Sequence, residues 1–370
     1  MAERLNSTVR KVDTVARLAG DEFTLILTDI NDFRDAATVA KKILRRFSEP
    51  FDLDGRPRKV TISIGISLYP TDGQDVPSLL QQADEAMYTA KKQGRDSFRF
   101  ASADLSQQAF EREALESALR QAVVDGGLEV HYQPIIEVAS GRITGAEALL
   151  RWRHPEIGLM VPGQFLPLAQ HSGLMPAISQ WVLKSAFDQG AAWRAAGHGD
   201  LRLCINVSAS ELKDPNFHGL VERLLQETGL PGSSVDFEIP ASVGLEGKEP
   251  VIRAMEELHR LGCRIALDDF GTGRPDFASF RQLPVNVLKV SPEYIRDVAS
   301  GGQEAKLVRA ATEIAHSLHI EVVAKAVETT DQYDFLRQNQ CDRAQGFFFS
   351  RPLPPGEFLK LMAGPALSVN

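Results

Sequence analysis

With 370 residues the chain is long enough for about two domains. Its 43% hydrophobic and 24% charged residues exclude a disordered or fibrous protein. A net charge of −8 argues against a non-specific nucleic-acid binder, although a local field can still hold a small anion.

Residues 1–100 read as one α+β unit. A short buried strand is expected over 23–27. A helix is expected over 35–47, where Val39, Ile43, Leu44 and Phe47 recur at helical spacing. Asp54-Gly55 signals a turn. Residues 60–68 alternate Ile62, Ile64, Ile66 and Leu68 with small or polar residues, as a half-buried strand does. A further helix over 79–92 stops near Gly94. Residues 101–124 read as a helical linker, with Phe110, Ala114, Ala118 and Gln121 on one face and Leu115 and Leu119 beside it.

From residue 125 to 370 the pattern changes. Short apolar strands are expected over 129–133, 146–152, 203–207, 235–239, 265–269, 287–290, 322–325 and 344–347. Helical stretches such as 178–196, 251–261 and 305–318 lie between most of them. Eight such units predict an α/β fold, a closed (β/α)₈ TIM-like barrel. Asn206, Glu238, Asp268, Asp269, Lys289, Lys325 and Gln345 fall at or near the carboxyl ends of their strands. In a barrel these ends converge on one mouth, where ligand sites are built. Cys204, Cys263 and Cys341 are too few and too scattered for a disulfide scaffold and are expected as buried thiols. No apolar run is long enough for a bilayer, and residues 1–5 carry no signal-peptide core. The expectation is a cytoplasmic protein with no membrane segment and no nucleic-acid partner.

At this point a family is recognisable. Glu147-Ala148-Leu149-Leu150-Arg151 resembles the EAL signature of cyclic di-GMP phosphodiesterases. Tyr132-Gln133-Pro134, Ile205-Asn206-Val207-Ser208, Asp268-Asp269-Phe270-Gly271-Thr272-Gly273, Leu288-Lys289 and Gln345-Gly346-Phe347 follow in the family's order. Residues 1–100 resemble a partial, degenerate GGDEF (nucleotide-cyclase-like) domain, with Ala19-Gly20-Asp21-Glu22-Phe23 at the signature hairpin. The family's upstream strand and loop are not in this chain, and Ala19 replaces the first signature glycine. Diguanylate cyclase activity is therefore not expected of it. Arg10-Lys11-Val12-Asp13 resembles the family's RxxD inhibitory site, in which Arg10 and Asp13 would hold cyclic di-GMP; the plain alternative is an exposed charge pair at a helix end.

The resemblance implies a two-metal hydrolysis using Mg²⁺ or Mn²⁺ on oxygen ligands. Glu147, Asn206, Glu238 and Asp268 would hold the first ion, and Asp268 would bridge to a second beside Asp269. Lys289 would neutralise developing charge or orient the water. Gln133, Leu149, Arg151 and Gln345 would contact the dinucleotide. The chain departs from the family where a Glu-Gly-Val-Glu stretch is usual. Here it reads Lys325-Ala326-Val327-Glu328, so Glu328 survives and Lys325 replaces the catalytic acid that binds the second ion. A unit charge pair at contact is worth about 4 kcal/mol near a protein surface, and a divalent ion doubles that. An ammonium in place of a carboxylate is therefore expected to evict the second ion and to meet the ligand phosphate itself. Ala241, Ser291 and Gln170 replace usual acids, and Gly273-Arg274-Pro275-Asp276 replaces small and hydroxyl residues. Three readings follow: a catalytically silent cyclic di-GMP receptor that signals to a protein partner, a working phosphodiesterase producing linear pGpG, and a nucleotide-independent interaction module. The resemblance also implies a homodimer through the EAL domain.

Overall fold

The computed structural model describes residues 1–53, 56–92, 94, 96–245, 249–271 and 283–364. It divides into two compact units, Met1–Ala118 and Leu119–Asn370.

In the first unit, β1 (Thr14–Ala19) pairs antiparallel with β2 (Glu22–Ile26) around Gly20, whose φ of 48° suits a tight turn. β2 is only half-buried, against the buried strand expected at 23–27. It belongs to a two-stranded ribbon, so Phe23 and Leu25 pack on Leu5, Ile43 and Phe47 while Ile26 is 57% exposed. Helix Phe33–Ser48 is capped by Asp32, which accepts from the Arg34 N–H, and it buries Ala36, Ala40, Ile43 and Phe47. That 4-3-4 spacing is one face of a helix. β3 (Phe51–Leu53) pairs with β4 (Arg56–Arg58); the Asp54-Gly55 turn lies outside the described residues. β5 (Ser63–Ile66) is shorter than the expected 60–68 and pairs in parallel with β6 (Ser97–Phe100). Helix Val76–Lys92 packs on β5 so closely that a Cβ on Gly65 would lie 1.8 Å from the Ala83 carbonyl oxygen.

Helix Ala103–Asp125 forms as expected, but its buried face is rotated from the expected one. Ala109, Leu119 and Ala122 are buried, and Phe110 is 61% exposed. Ala109 wins its place because its small side chain fits against Ala36 and Phe100, where a phenyl ring would not.

The second unit is a closed eight-stranded barrel. β7 (Leu128–Glu137) and β8 (Ile143–His154) form an antiparallel hairpin, and β9 (Gly158–Met160) extends the far end of β8. β10 (Arg202–Asn206), β11 (Val235–Pro240), β12 (Arg264–Phe270), β13 (Val287–Val290), β14 (Glu321–Ala324) and β15 (Arg343–Ala344) follow in parallel. β10 pairs with β8 and β15 with β7, which closes the ring. The barrel departs from a regular (β/α)₈ pattern in its first strand, which runs antiparallel to both neighbours and has no helix after it. The last strand is also shorter than 344–347, because the chain turns after Ala344. Helices such as Met175–Ala195, Phe217–Thr228, Glu249–Arg260 and Gln303–Ser317 pack their apolar faces outside the strands.

Strand alternation sorts the interior into layers. Ile135, Cys204, Ala266, Val287 and Val323 form an apolar middle layer. Two residues nearer the mouth stand Gln133, which precedes Ile135 on the reversed strand, and Asn206, Asp268, Lys289 and Lys325, which follow their middle-layer residues. Toward the opposite end stand Arg202, Arg264 and Glu321, joined by Asp236 and Arg343. There Arg264 and Arg343 reach Glu321 at 2.8 and 3.0 Å, and Arg202 and Arg264 flank buried Asp236 at 3.6 and 3.8 Å. The middle layer therefore separates two charged ends. All three cysteines are buried and free.

Candidate functional site at the barrel mouth

The polar layer is a connected network. Glu147 lies opposite Gln133 in the β7–β8 register, so both side chains enter the barrel at one level. Glu147 Oε1 accepts from Asn206 Nδ2 at 2.8 Å. Its Oε2 accepts from Lys289 Nζ at 3.0 Å and Gln345 Nε2 at 2.7 Å. Lys289, 1% exposed, also reaches Glu238 Oε1 at 2.5 Å. Gln345 donates to Gln133 Oε1 at 3.0 Å, and Gln133 Nε2 donates to the Ser350 carbonyl.

A second cluster stands beside it. Lys325 Nζ donates to both oxygens of Asp268, at 2.7 and 2.8 Å, and to Asp269 Oδ1 at 2.9 Å. Backbone conformation marks the same spot: Asp269 and Ala326 both adopt left-handed φ values, 54° and 55°. For a residue with a Cβ that conformation costs on the order of 1 kcal/mol. Gly346 is required nearby, since a Cβ there would lie 2.0 Å from the Val327 carbonyl oxygen.

Burial opposes ionisation of Glu147, but the Lys289 charge and the hydrogen bonds from Asn206 and Gln345 outweigh it and hold the carboxyl at about 2. Burial, with the Glu147 charge beside it, pushes Glu238 up instead. Burial also works against both ammonium groups. The facing carboxylates more than compensate and keep Lys289 and Lys325 cationic.

The other expected residues divide. Leu149 and Arg151 alternate with Glu147 on the same strand face, and half-buried Arg151 donates Nη1 to the Leu150 carbonyl. Glu328 stands apart: it is exposed, its N–H donates to Gln332, and among the described residues no hydrogen bond or ion pair ties its carboxylate to the network. Gln345 braces Glu147, not the Lys325 cluster. In the first unit Asp13 accepts from the Arg10 and Thr28 N–H groups, so its carboxylate shapes a turn, and the Arg10 side chain is exposed. Ala241 and Ser291 are buried, Gln170 is exposed, and residues 273–276 lie outside the described residues. Sequence reasoning missed His131, which bonds Glu129 at 3.1 Å, with Arg153 on the same carboxylate. The signal was present: 129, 131 and 133 alternate toward the mouth opposite 151, 149 and 147.

The donor set for one hard cation is right in kind, and Glu238 Oε2 and Gln345 Oε1 are buried acceptors without partners. A two-ion clamp does not fit. Among the described residues no three His, Cys, Asp or Glu side chains converge to hold an ion. The ammonium of Lys325 lies between Asp268 and Asp269, within 2.9 Å of three of their oxygens.

Fold and mouth together define a closed α/β barrel of the EAL class. Residues 116–352 match the EAL domain family and residues 1–97 the diguanylate cyclase GGDEF domain family. The chain belongs to the EAL family, and a GGDEF match precedes the barrel in the sequence. It is 38% identical over 377 residues to the cyclic di-GMP phosphodiesterase NbdA of Pseudomonas aeruginosa, covering 100% of this chain and 48% of that one. It is also 38% identical over 363 residues to the bifunctional diguanylate cyclase/cyclic di-GMP phosphodiesterase MucR of the same organism, covering 98% and 53%. The chain thus spans about half the length of these relatives. A solved MucR phosphodiesterase structure in complex with c-di-GMP superposes with a TM-score of 0.64 at 35% identity, covering 66% of this chain and 99% of that one. Among the described residues no helix is long and apolar enough to cross a membrane.

Proposed function

We propose that the barrel binds cyclic di-GMP at its mouth and has lost most or all phosphodiesterase turnover, acting as a receptor that signals to a protein partner. The observation that carries this reading is the placement of Lys325 Nζ within 2.9 Å of three carboxylate oxygens of Asp268 and Asp269. An ammonium there neutralises the acids that would otherwise repel a phosphodiester, and it offers an N–H to the phosphate. Arg151 keeps guanidinium donors for the second phosphate, and Leu149 lies on the same strand face as an apolar contact. Binding survives because these groups belong to the chain; cleavage fails because water is not activated between two cations.

Titration calorimetry with cyclic di-GMP in EDTA tests the binding half and should show a saturable heat. Incubation with Mg²⁺ or Mn²⁺ tests the other half and should yield little linear pGpG. A second reading, a slow phosphodiesterase, is favoured by the presence of Glu147, Asn206, Glu238, Asp268 and Lys289. Turnover that Glu147→Ala abolishes would establish it in place of the first. No heat with or without metal would leave the interaction module.

A further inference from the structure

Unit Met1–Ala118 contains a cavity of about 390 Å³ that plays no part in the mouth chemistry. This volume lies within the range of sites for small organic ligands, roughly 300–1,000 Å³. Its walls come from helix Phe33–Ser48, from β6 and from the first turns of helix Ala103–Asp125. We propose that it binds a small planar aromatic anion, a ring bearing a phosphate, sulfonate or carboxylate.

The apolar wall is aromatic. Phe98 and Phe100 meet edge to face, with centroids 6.0 Å apart at 82°, and Phe110, 61% exposed, stands at the cavity with no buried partner face. Exposed and buried rings around one space favour a flat ring between them.

The polar wall carries a net positive charge. Three cations, Lys41, Arg45 and Arg99, line the cavity against two acids, Asp96 and Glu113. Lys41 lies 3.9 Å from Glu113 and 4.0 Å from Glu116, beyond hydrogen-bonding distance. The Arg45 guanidinium has no hydrogen bond or ion pair among the described residues. A planar fork of free N–H donors beside aromatic rings matches a forked oxyanion on a ring. The Ser97 hydroxyl, buried and without a partner, adds one further polar atom at the same place.

The full chain titrated with 1-naphthyl phosphate in a calorimeter, in the presence of saturating cyclic di-GMP to fill the mouth, tests this. One site per chain is expected, with 1-naphthol bound at least about 10-fold more weakly because it lacks the charge-assisted hydrogen bonds. Arg45→Glu should weaken the phosphate ester by at least about 10-fold, and Arg45→Lys by much less. Arg45 is exposed, so both variants should melt as the parent does, which melting curves verify. No binding by the parent, or binding that Arg45→Glu leaves unchanged, overturns the assignment.

Discussion

Replacing Lys325 by Glu should make the barrel depend on a divalent ion for its stability. Lys325 Nζ holds Asp268 through two contacts and Asp269 through one, all within 2.9 Å. Removing one partner of a buried pair costs about 3–5 kcal/mol. The Asp269 side chain is 51% exposed, so its share is screened and the lower end applies, about 3 kcal/mol. At about 2–4 °C per kcal/mol for a domain of this size, the barrel transition should fall by roughly 6–12 °C in EDTA. Lys325→Glu then gathers carboxylates that a cation can bridge. At 100 times its dissociation constant a bound ion returns about 2.7 kcal/mol, so millimolar Mn²⁺ should restore most of the loss. The wild type should respond clearly less under the same conditions, since Lys325 leaves it the donor set for at most one cation. Scanning fluorimetry in EDTA and in Mn²⁺ measures both, with pGpG formation followed in parallel. An equal Mn²⁺ response in both proteins would refute the reasoning, as would a Lys325→Glu barrel that is no weaker in EDTA.

Gly346→Ala should cost at least about 2 kcal/mol in denaturant unfolding and weaken cyclic di-GMP binding, because the new Cβ would collide with the Val327 backbone and displace the turn carrying Lys325. The three thiols should not react with a disulfide reagent in the native state and should all react once unfolded; burial pushes Cys263 and Cys341 up to about 12 and Cys204 well above the usual thiol value. Burial opposes ionisation of Glu321, but the hydrogen bond from Arg264 and the charge of Arg343 hold its carboxyl below the usual range. A depressed acid adds stability above its unfolded value of about 4.3 and loses it as pH falls through the lower folded value. Glu321→Gln should therefore flatten the fall in melting temperature below about pH 4.5, relative to wild type.

The parallel strands were legible because each couples a short apolar run to a polar residue at its carboxyl end: Ile205 before Asn206, Leu288 before Lys289, Ala324 before Lys325. The reversed direction of β7 was not. An isolated apolar run carries no sign of which way it runs; only its pairing with β8 does. The charged end opposite the mouth was missed for a related reason. Arg202, Asp236, Arg264, Glu321 and Arg343 each stand at or next to the start of a strand, where a charge reads equally well as a solvated loop end. In the first unit Phe110 misled because hydrophobicity alone cannot tell a buried ring from one lining an open cavity. At the mouth the residue types were readable, and Lys325 stood out as a cation among acids. What sequence could not supply was the partnership: Gln345 with Glu147, and Lys325 with both Asp268 and Asp269.

The reversed first strand has an outcome for traffic through the chain. Leu128 pairs with Trp152, five positions past Glu147 toward the open rim, and the Gly127 carbonyl accepts from the Arg153 N–H. The chain therefore enters its first barrel strand at the rim, within a few residues of the polar layer. Had the first strand run with its neighbours, entry would fall at the far end, beyond the apolar plug. The first strand therefore meets the polar layer at Gln133 before it reaches the apolar layer at Ile135, the reverse of the order followed by the parallel strands.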